Sequence, residues 1–316
     1  MSIMHKGPGM PNGWFAVAWS KELADAEVKS IRYFDQDLML FRTRSGEPKV
    51  LSAYCPHLGI NMAEGGRVMG ETVRCPYHGW QYDGDSGECT VIPYCDRIPK
   101  AARVKAWPTI ERNRMILVWH HAEDKPPSWE VPTIPHLDDP EYAEPRTFEI
   151  EIPVHMQDMA ENNLDPVHFQ YIHGMDHIPE TEFSFSEDGR FLTAVGYNKM
   201  TTPEGDTLDM QLIRETWGLG LSSIESKGIP GVGLFMITST SPIGPRETIS
   251  RWLLFCTKNA VDTVGEEWFS TITAGVMDDW QAWCHKIHLE NPVFCEADTP
   301  LVEFRRWAKQ FYSNPA

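Results

Sequence analysis

The sequence predicts an α+β protein in which an all-β unit is followed by a unit that mixes helices with antiparallel strands. From Trp14 to Trp119, short apolar runs such as "DLMLFRTRSGEPKVLSAYC" and "MILVWHH" alternate with Gly, Pro and Asp turns, the rhythm of an antiparallel all-β unit. Next comes "EDKPPSWEVPTIPHLDDPEYAEP", dense in proline and acid and unable to hold a helix or a central strand, which marks a linker. The remainder sets helical stretches around 154–175 and 262–290 beside strand-like runs such as "GLFMITST" and "ETISRWLLFCTK". These signals place a first domain at residues 1–122, a proline-rich linker at 123–145 and a second domain at 146–316, with no internal repeat.

Composition narrows the function classes. A chain of 316 residues exceeds a typical single domain, and 41% hydrophobic residues can build a sizeable core. The formal charge of −17 repels nucleic acid and anionic lipid, whose binding is carried by Lys and Arg. No apolar run approaches the roughly 20 residues that cross a bilayer, and the opening "MSIMHKGPGMPNGW" lacks a signal-peptide core, so the cytoplasm is the expected location. Seven cysteines, an odd number over a long chain, favour reduced thiols or metal ligands over a disulfide framework.

Ligation has a specific candidate. A "CPH" at 55–57 is followed, after seventeen residues, by "CPYHGW" at 75–80. Cys55, His57, Cys75 and His78 thus form a C-x-H and a C-x2-H, each beside Pro and Gly, two matched tight loops able to close on one metal centre. Thiolates suit zinc and iron–sulfur iron, and histidines on one iron of a [2Fe–2S] centre raise its potential. Zinc stays a competitor, although Cys2His2 fingers space a Cys pair and then a His pair. The bland alternative is two structural cysteines with two surface histidines.

"CPHLG", "RCPYHGWQYD" and "GECTVIPY" resemble the loops of Rieske-type oxygenases. The resemblance implies that Cys55 and Cys75 hold one iron of a [2Fe–2S] cluster while His57 and His78 hold the other, with Pro56, Gly59, Pro76, Gly79 and Trp80 as turn and shielding residues. Cys89 and Cys95 lie outside the motif and are expected to be buried or partly buried thiols.

A cluster of this kind carries one electron, so a second site decides between an electron carrier and an enzyme. "ENNLDPVHFQYIHG", residues 161–174, supplies His168 and His173. Five residues apart, they would lie about 140° apart on a regular helix. Pro166 and Gly174 disturb that helix, so a broken turn could still unite both imidazoles, or they could be ordinary hydrogen-bonded histidines. Asp165, three before His168, could set a carboxylate beside a ligand imidazole. Non-haem Fe(II) oxygenases add a carboxylate. "VMDDWQAWCHKIHLENPVF" resembles the late helix of steroid-oxidising Rieske oxygenases, and matching "DWQAW" selects Asp279, with Asp278 as alternate because adjacent helix residues point about 100° apart. His155, His177, His285 and His288 are expected not to ligate.

"PNGWFAVAWSKEL", "ENNLDPVHFQYIH" and "FRRWAKQFY" extend the likeness to the branch of 3-ketosteroid 9α-hydroxylases and cholesterol 7-desaturases, although "HLGIN" and "VMDDW" depart from its usual forms. What the resemblance implies is a helix-grip-like catalytic domain with a curved antiparallel sheet and mononuclear Fe(II). It also implies a terminal oxygenase fed by a reductase or ferredoxin, using dioxygen on an apolar steroid-like or sterol-like molecule. Relatives form head-to-tail trimers, in which Asp165 would bridge His168 to His78 of the next subunit for electron transfer. Two alternatives stay open: the same machinery acting on a small aromatic, by ring dihydroxylation or demethylation, and a Rieske electron carrier. "GLGLSSIESKGIPGVGLFMITSTSP" could line an apolar cavity or be plain core, and the lack of a basic cluster points to a neutral substrate.

Overall fold

The computed structural model describes residues 9–201, 205–261 and 265–313, which divide into two compact units, residues 14–133 and residues 9–13 with 134–313. The boundary falls inside the stretch expected to be a linker. Trp129 and Val131 are buried with the first unit, where Trp14 Nε1 donates to the Trp129 carbonyl at 2.9 Å and Arg112 donates to that of Val131. Farther on, Pro135–Leu137 forms a 3₁₀ turn and the Tyr142 ring meets Phe255 edge-on at 5.5 Å. Proline denies this stretch regular backbone pairing but not side-chain packing, so it clothes both units.

The first unit holds β1 (Gly13–Trp19), β2 (Val28–Tyr33), β3 (Gln36–Arg42), β4 (Pro48–Ser52), β5 (Arg67–Met69), β6 (Thr72–Arg74), β7 (Gln81–Asp83), β8 (Cys89–Val91), β9 (Ala106–Trp107), β10 (Thr109–Arg112) and β11 (Met115–His120). They form three antiparallel sheets, ordered β1-β11-β10, β2-β3-β4-β9 and β5-β6-β7-β8. β1 and β11 are buried at every residue, as their unbroken apolar runs require. Met39, Phe41, Leu51, Met62, Val73 and Tyr82 make a core that also takes in Cys55 and Cys75.

The second unit holds β12 (Arg146–Ile152), α1 (Met156–Ala160), α2 (Val167–Tyr171), β13 (Glu180–Phe185), β14 (Phe191–Thr201), β15 (Thr207–Trp217), β16 (Leu221–Lys227), β17 (Leu234–Gly244), β18 (Glu247–Cys256), α3 (Lys258–Ala260), α4 (Glu266–Trp283) and α5 (Thr299–Ala308). Seven strands make one antiparallel sheet in the order β12-β18-β17-β16-β15-β14-β13, so β13 to β18 meander and β12 closes beside the last of them. The architecture is α+β, as expected. α4 runs alongside β12: Arg146 pairs with Glu266 at one end, and Trp280 Nε1 donates to the Glu151 carbonyl at 3.1 Å at the other. Phe269, Trp268 and Ile272 of α4 pack on Ile224, Met236 and Leu254 of the sheet. The helix thus covers one sheet face. Among the described residues no helix is long and apolar enough to cross a membrane.

One ion pair in the first unit makes a pH-dependent prediction. Arg42, 8% exposed, donates to Glu111 Oε2 at 2.8 Å and Oε1 at 3.0 Å, and to the Leu23 carbonyl at 3.0 Å. The guanidinium holds the Glu111 carboxyl below its ordinary range. A depressed pKa stabilises the fold above the unfolded-state value of about 4.3, and that contribution disappears as pH falls through the folded value. Glu111→Gln should therefore unfold at lower urea than wild type near pH 7, with the gap closing toward about pH 4; a gap independent of pH would remove Glu111 from the account.

Candidate metal centres and active-site cavity

Two loops with the same backbone wiring carry the cysteine–histidine motif. The Cys55 N–H donates to the Ile60 carbonyl at 2.9 Å and the Gly59 N–H returns to the Cys55 carbonyl at 2.9 Å. In the second loop, Cys75 donates to Trp80 at 2.8 Å and Gly79 to Cys75 at 3.2 Å. Gly59 and Gly79 sit at φ +75° and +74°, left-handed conformations that favour glycine. Both cysteines are buried and both histidines half-buried, so the sulfurs face the core and the imidazoles the rim. His57 and His78 lie 4.7 Å apart between ring centres, and His57 stacks on Trp80 at 4.5 Å.

The chemistry of this set fits a [2Fe–2S] cluster of mixed ligation. His57 Nδ1 is buried without a hydrogen-bond partner in the protein, as a nitrogen does when its lone pair belongs to a metal. Tyr82 Oη lies 3.0 Å from Cys55 Sγ. Burial, and after it the bond to Cys55, pushes the phenol far above its ordinary pKa, so it stays protonated and donates to the sulfur. Donors to cluster sulfurs are one lever on reduction potential. Cys89 is buried as expected, whereas Cys95 is exposed on the surface, because its loop after β8 has no core to enter.

In the second unit His168, His173 and Asp279 converge, with one ligand atom from each inside a 4.8 Å group. His173 Nε2 is 3.5 Å from Asp279 Oδ1, and the two imidazole centres are 5.2 Å apart. The helix obstacle disappears because α2 has only five residues. Asp165 is extended at φ −105° and ψ 93°, and its Oδ1 accepts from the N–H of Val167 at 3.0 Å and His168 at 3.3 Å, capping the turn in front of Pro166. Gly174 at φ +68° ends it, so His173 leaves the helical path and returns to His168. The expected carboxylate contact to the imidazole is replaced. His168 Nδ1 donates to the Asp165 backbone carbonyl at 2.5 Å, while the carboxylate Oδ2 stands 3.9 Å away. That carbonyl fixes the tautomer and leaves Nε2 for a metal.

Electrostatics agree with a cation site. Burial lowers the His168 pKa, which keeps the ring neutral as ligation requires. Burial raises Asp279 to about 6, against the pull of His173, Arg214 and the Asn162 side chain. Asp278 is exposed and outside the group, so α4 presents Asp279 alone to the histidines. His177 and His285 are not in it. His155, Asp158 and His288 form a second such group, whose histidines are already engaged within the protein, while Asp158 Oδ1 faces Lys286 Nζ at 3.6 Å. His155 Nδ1 accepts from Gln157 N–H at 3.2 Å, its Nε2 donates to the Gly9 carbonyl at 3.1 Å, and His288 meets Asp158 at 3.1 Å.

A cavity of about 500 Å³ opens on His168, His173 and Asp279. Its sheet wall comes from Leu212 and Arg214 of β15, Ser222 and Ile224 of β16, Met236, Thr238 and Thr240 of β17, and Ser250 and Trp252 of β18. These are even-numbered, the period-2 signature of one sheet face, and Leu221, at the first position of β16, is the exception. The opposite wall includes Ile272, Val276 and Trp283 of α4. The stretch singled out as possible cavity lining does supply Leu219, Leu221, Ile224 and Met236. Arg214 and Asn162 went unnoticed in the sequence. The signal for Arg214 was its parity, since in "LIRETW" it shares the face of Leu212 and Thr216.

The profile of the Rieske [2Fe-2S] domain matches residues 13–108, and that of the 3-ketosteroid 9alpha-hydroxylase C-terminal domain matches residues 118–312. Cholesterol 7-desaturase of Caenorhabditis elegans is 30% identical over 97% of this chain and 78% of its own length. The oxygenase component of 3-ketosteroid-9-alpha-monooxygenase of Rhodococcus rhodochrous is 28% identical over 95% of this chain and 83% of its own. Among solved structures, a QL mutant of NdmA from Pseudomonas putida CBB5, with theobromine, superposes at a TM-score of 0.76 with 19% identity, over 94% of this chain and 89% of that one. This last likeness is one of fold.

Metal analysis tests the ligand set directly. Wild type should hold about three irons per chain, and Asp279→Asn about two with the cluster's visible spectrum intact, whereas Asp278→Asn should keep about three. Equal iron content in both variants would remove Asp279 from the ligand set.

Proposed function

We propose, since the chain belongs to the Rieske-type non-haem iron oxygenases, that it oxidises an apolar polycycle of the steroid or sterol type by hydroxylation or desaturation. The chain is an oxidoreductase, the terminal oxygenase component of a system whose reductase is a separate protein. The supporting observation is the apolar-walled cavity of about 500 Å³ that ends on the His168, His173 and Asp279 group, a size suited to one small molecule. When bound, the cluster supplies single electrons at a raised potential, and the ferrous ion supplies the redox and Lewis-acid chemistry that dioxygen needs.

The chain's own residues do the rest. Leu212, Ile224, Met236 and Trp252 exclude water and hold an apolar ring system against the ligand-bearing wall. The Ser222 and Thr238 hydroxyls, 2.6 Å apart, satisfy each other and so line the cavity without demanding a polar substrate. Asp165 has a second role beyond capping. Its Oδ2 makes no hydrogen bond among the described residues and lies 3.9 Å from His168 Nδ1, free to bridge to the partner subunit's His78 in a head-to-tail trimer.

Asparagine caps a helix as well as aspartate does. Asp165→Asn should therefore keep both metals and the fold while product formation per turnover collapses; full activity in that variant would remove the bridging role.

The substrate class is tested by single turnover. The chemically reduced protein, mixed with labelled dioxygen and a panel of steroids, sterols and small aromatics, should place label in a polycycle or desaturate it. Label only in a ring diol, or loss of a methyl group from an aromatic, would overturn the polycycle. No product, together with about two irons per chain, would return the protein to an electron carrier.

A further inference from the structure

We propose that Arg214 is the specificity-determining residue of the cavity, anchoring a carboxylate carried by the otherwise apolar substrate. The inference rests on the oxygenase reading of the same cavity and departs from the expectation of a neutral substrate.

The argument begins with placement. Arg214 lies on the cavity face of β15, in a row with Ile224 and Met236, so a permanent cation stands among apolar neighbours. Its one hydrogen bond among the described residues runs from Nη1 to the Asn163 carbonyl at 3.1 Å. Nε is buried with no partner. Nη2, by contrast, has no partner among the described residues and stays open to the cavity, a donor that a ligand can pair.

No carboxylate of the protein fills this role. Arg214 forms no ion pair among the described residues, and the acid whose charge it feels is Asp279. Asp279 belongs to the candidate metal group, where its charge would be shared with a bound ion. The reachable donors are Nη2 and the second proton of Nη1, and a guanidinium edge with two such donors binds a carboxylate through two parallel hydrogen bonds. A neutral carbonyl would meet one donor and leave the buried charge uncompensated, whereas a carboxylate answers both. Its bond to the Asn163 carbonyl, five residues before His168, sets Arg214 toward the metal end of the cavity. The carbon oxidised should therefore lie toward the acid end of the substrate, not at its far ring.

The test is an equilibrium titration of the fully loaded enzyme, read by tryptophan fluorescence, since Trp252 and Trp283 line the cavity. The ligands are a polycyclic carboxylic acid, a small aromatic acid and the methyl ester of each. Wild type should bind the polycyclic acid at least about tenfold more tightly than its ester. Arg214→Met should lose that preference with iron content unchanged, and Arg214→Lys, which keeps the charge but not the fork, should retain part of it. Equal binding of acid and ester by wild type, which needs no variant to fold, would overturn the anchor, as would a preference that survives in Arg214→Met. An Arg214-dependent preference confined to the aromatic acid would keep the anchor and overturn the polycycle. Conversion of a neutral steroid by wild type as efficient as that of the matching polycyclic acid would keep the proposed reaction and overturn the anchor.

Discussion

The catalytic unit depends on one short turn closed at both ends. α2 is five residues long because Asp165 takes its first amide protons and Gly174 adopts the left-handed conformation that lets the chain leave. Were the turn to continue, His173 would rotate about 140° away from His168, and Asp279 on α4 would have one imidazole to meet. The same capping also sets the carbonyl that receives His168 Nδ1, so ring orientation and helix ending are one event. α4, held along β12 by Arg146 and Trp280, then fixes the distance of Asp279 from that turn.

The first unit solves a similar problem by repetition. Each cluster loop reaches from its cysteine N–H to the carbonyl five residues later and returns through a left-handed glycine. The second loop has one more residue between cysteine and histidine, yet both rings reach the same rim, because the extra residue is taken up inside a turn of equal length. Trp80 shields His57 from one side, and the Trp80 Nε1 bond to Tyr94 Oη at 2.8 Å holds the shield in place. The sulfurs sit in low-dielectric core and the half-buried imidazoles at the rim, a polarity that would set the histidine end of a bound cluster nearest to an electron partner.

The candidate ligand sets that the structure brings together were legible in the sequence because ligation needs particular side chains at particular turns. Cys55, His57, Cys75 and His78 stood out by spacing, and His168, His173 and Asp279 by the prolines, glycines and acids around them. The cavity was less legible. Its lining is shared by four strands, and whether Leu212 or Ile213 faces it is settled by register across the sheet, which no single segment carries. Asp165 shows the same limit: its position beside His168 could be read, but not that its backbone oxygen, and not its carboxylate, would take the ring proton. The proline-rich stretch was read from composition as a spacer, while Trp129 and Val131 within it are core residues, because composition reports backbone pairing and not side-chain burial.

Charge balance explains why the catalytic unit is organised around a cation. Asp279 is held in a buried place that by itself favours the protonated acid, yet it must be ionised to ligate. His173 cannot supply a compensating charge, because a protonated imidazole has no lone pair to give the metal. Arg214 supplies part of the compensation at the cost of being desolvated itself, which pushes its pKa down to about 10. A divalent ion held by the group would resolve the conflict for Asp279 and release Arg214 from it. With such an ion bound, the guanidinium would be left without a carboxylate of its own, so the ion would also create an electrostatic demand that an anionic group on the substrate can meet.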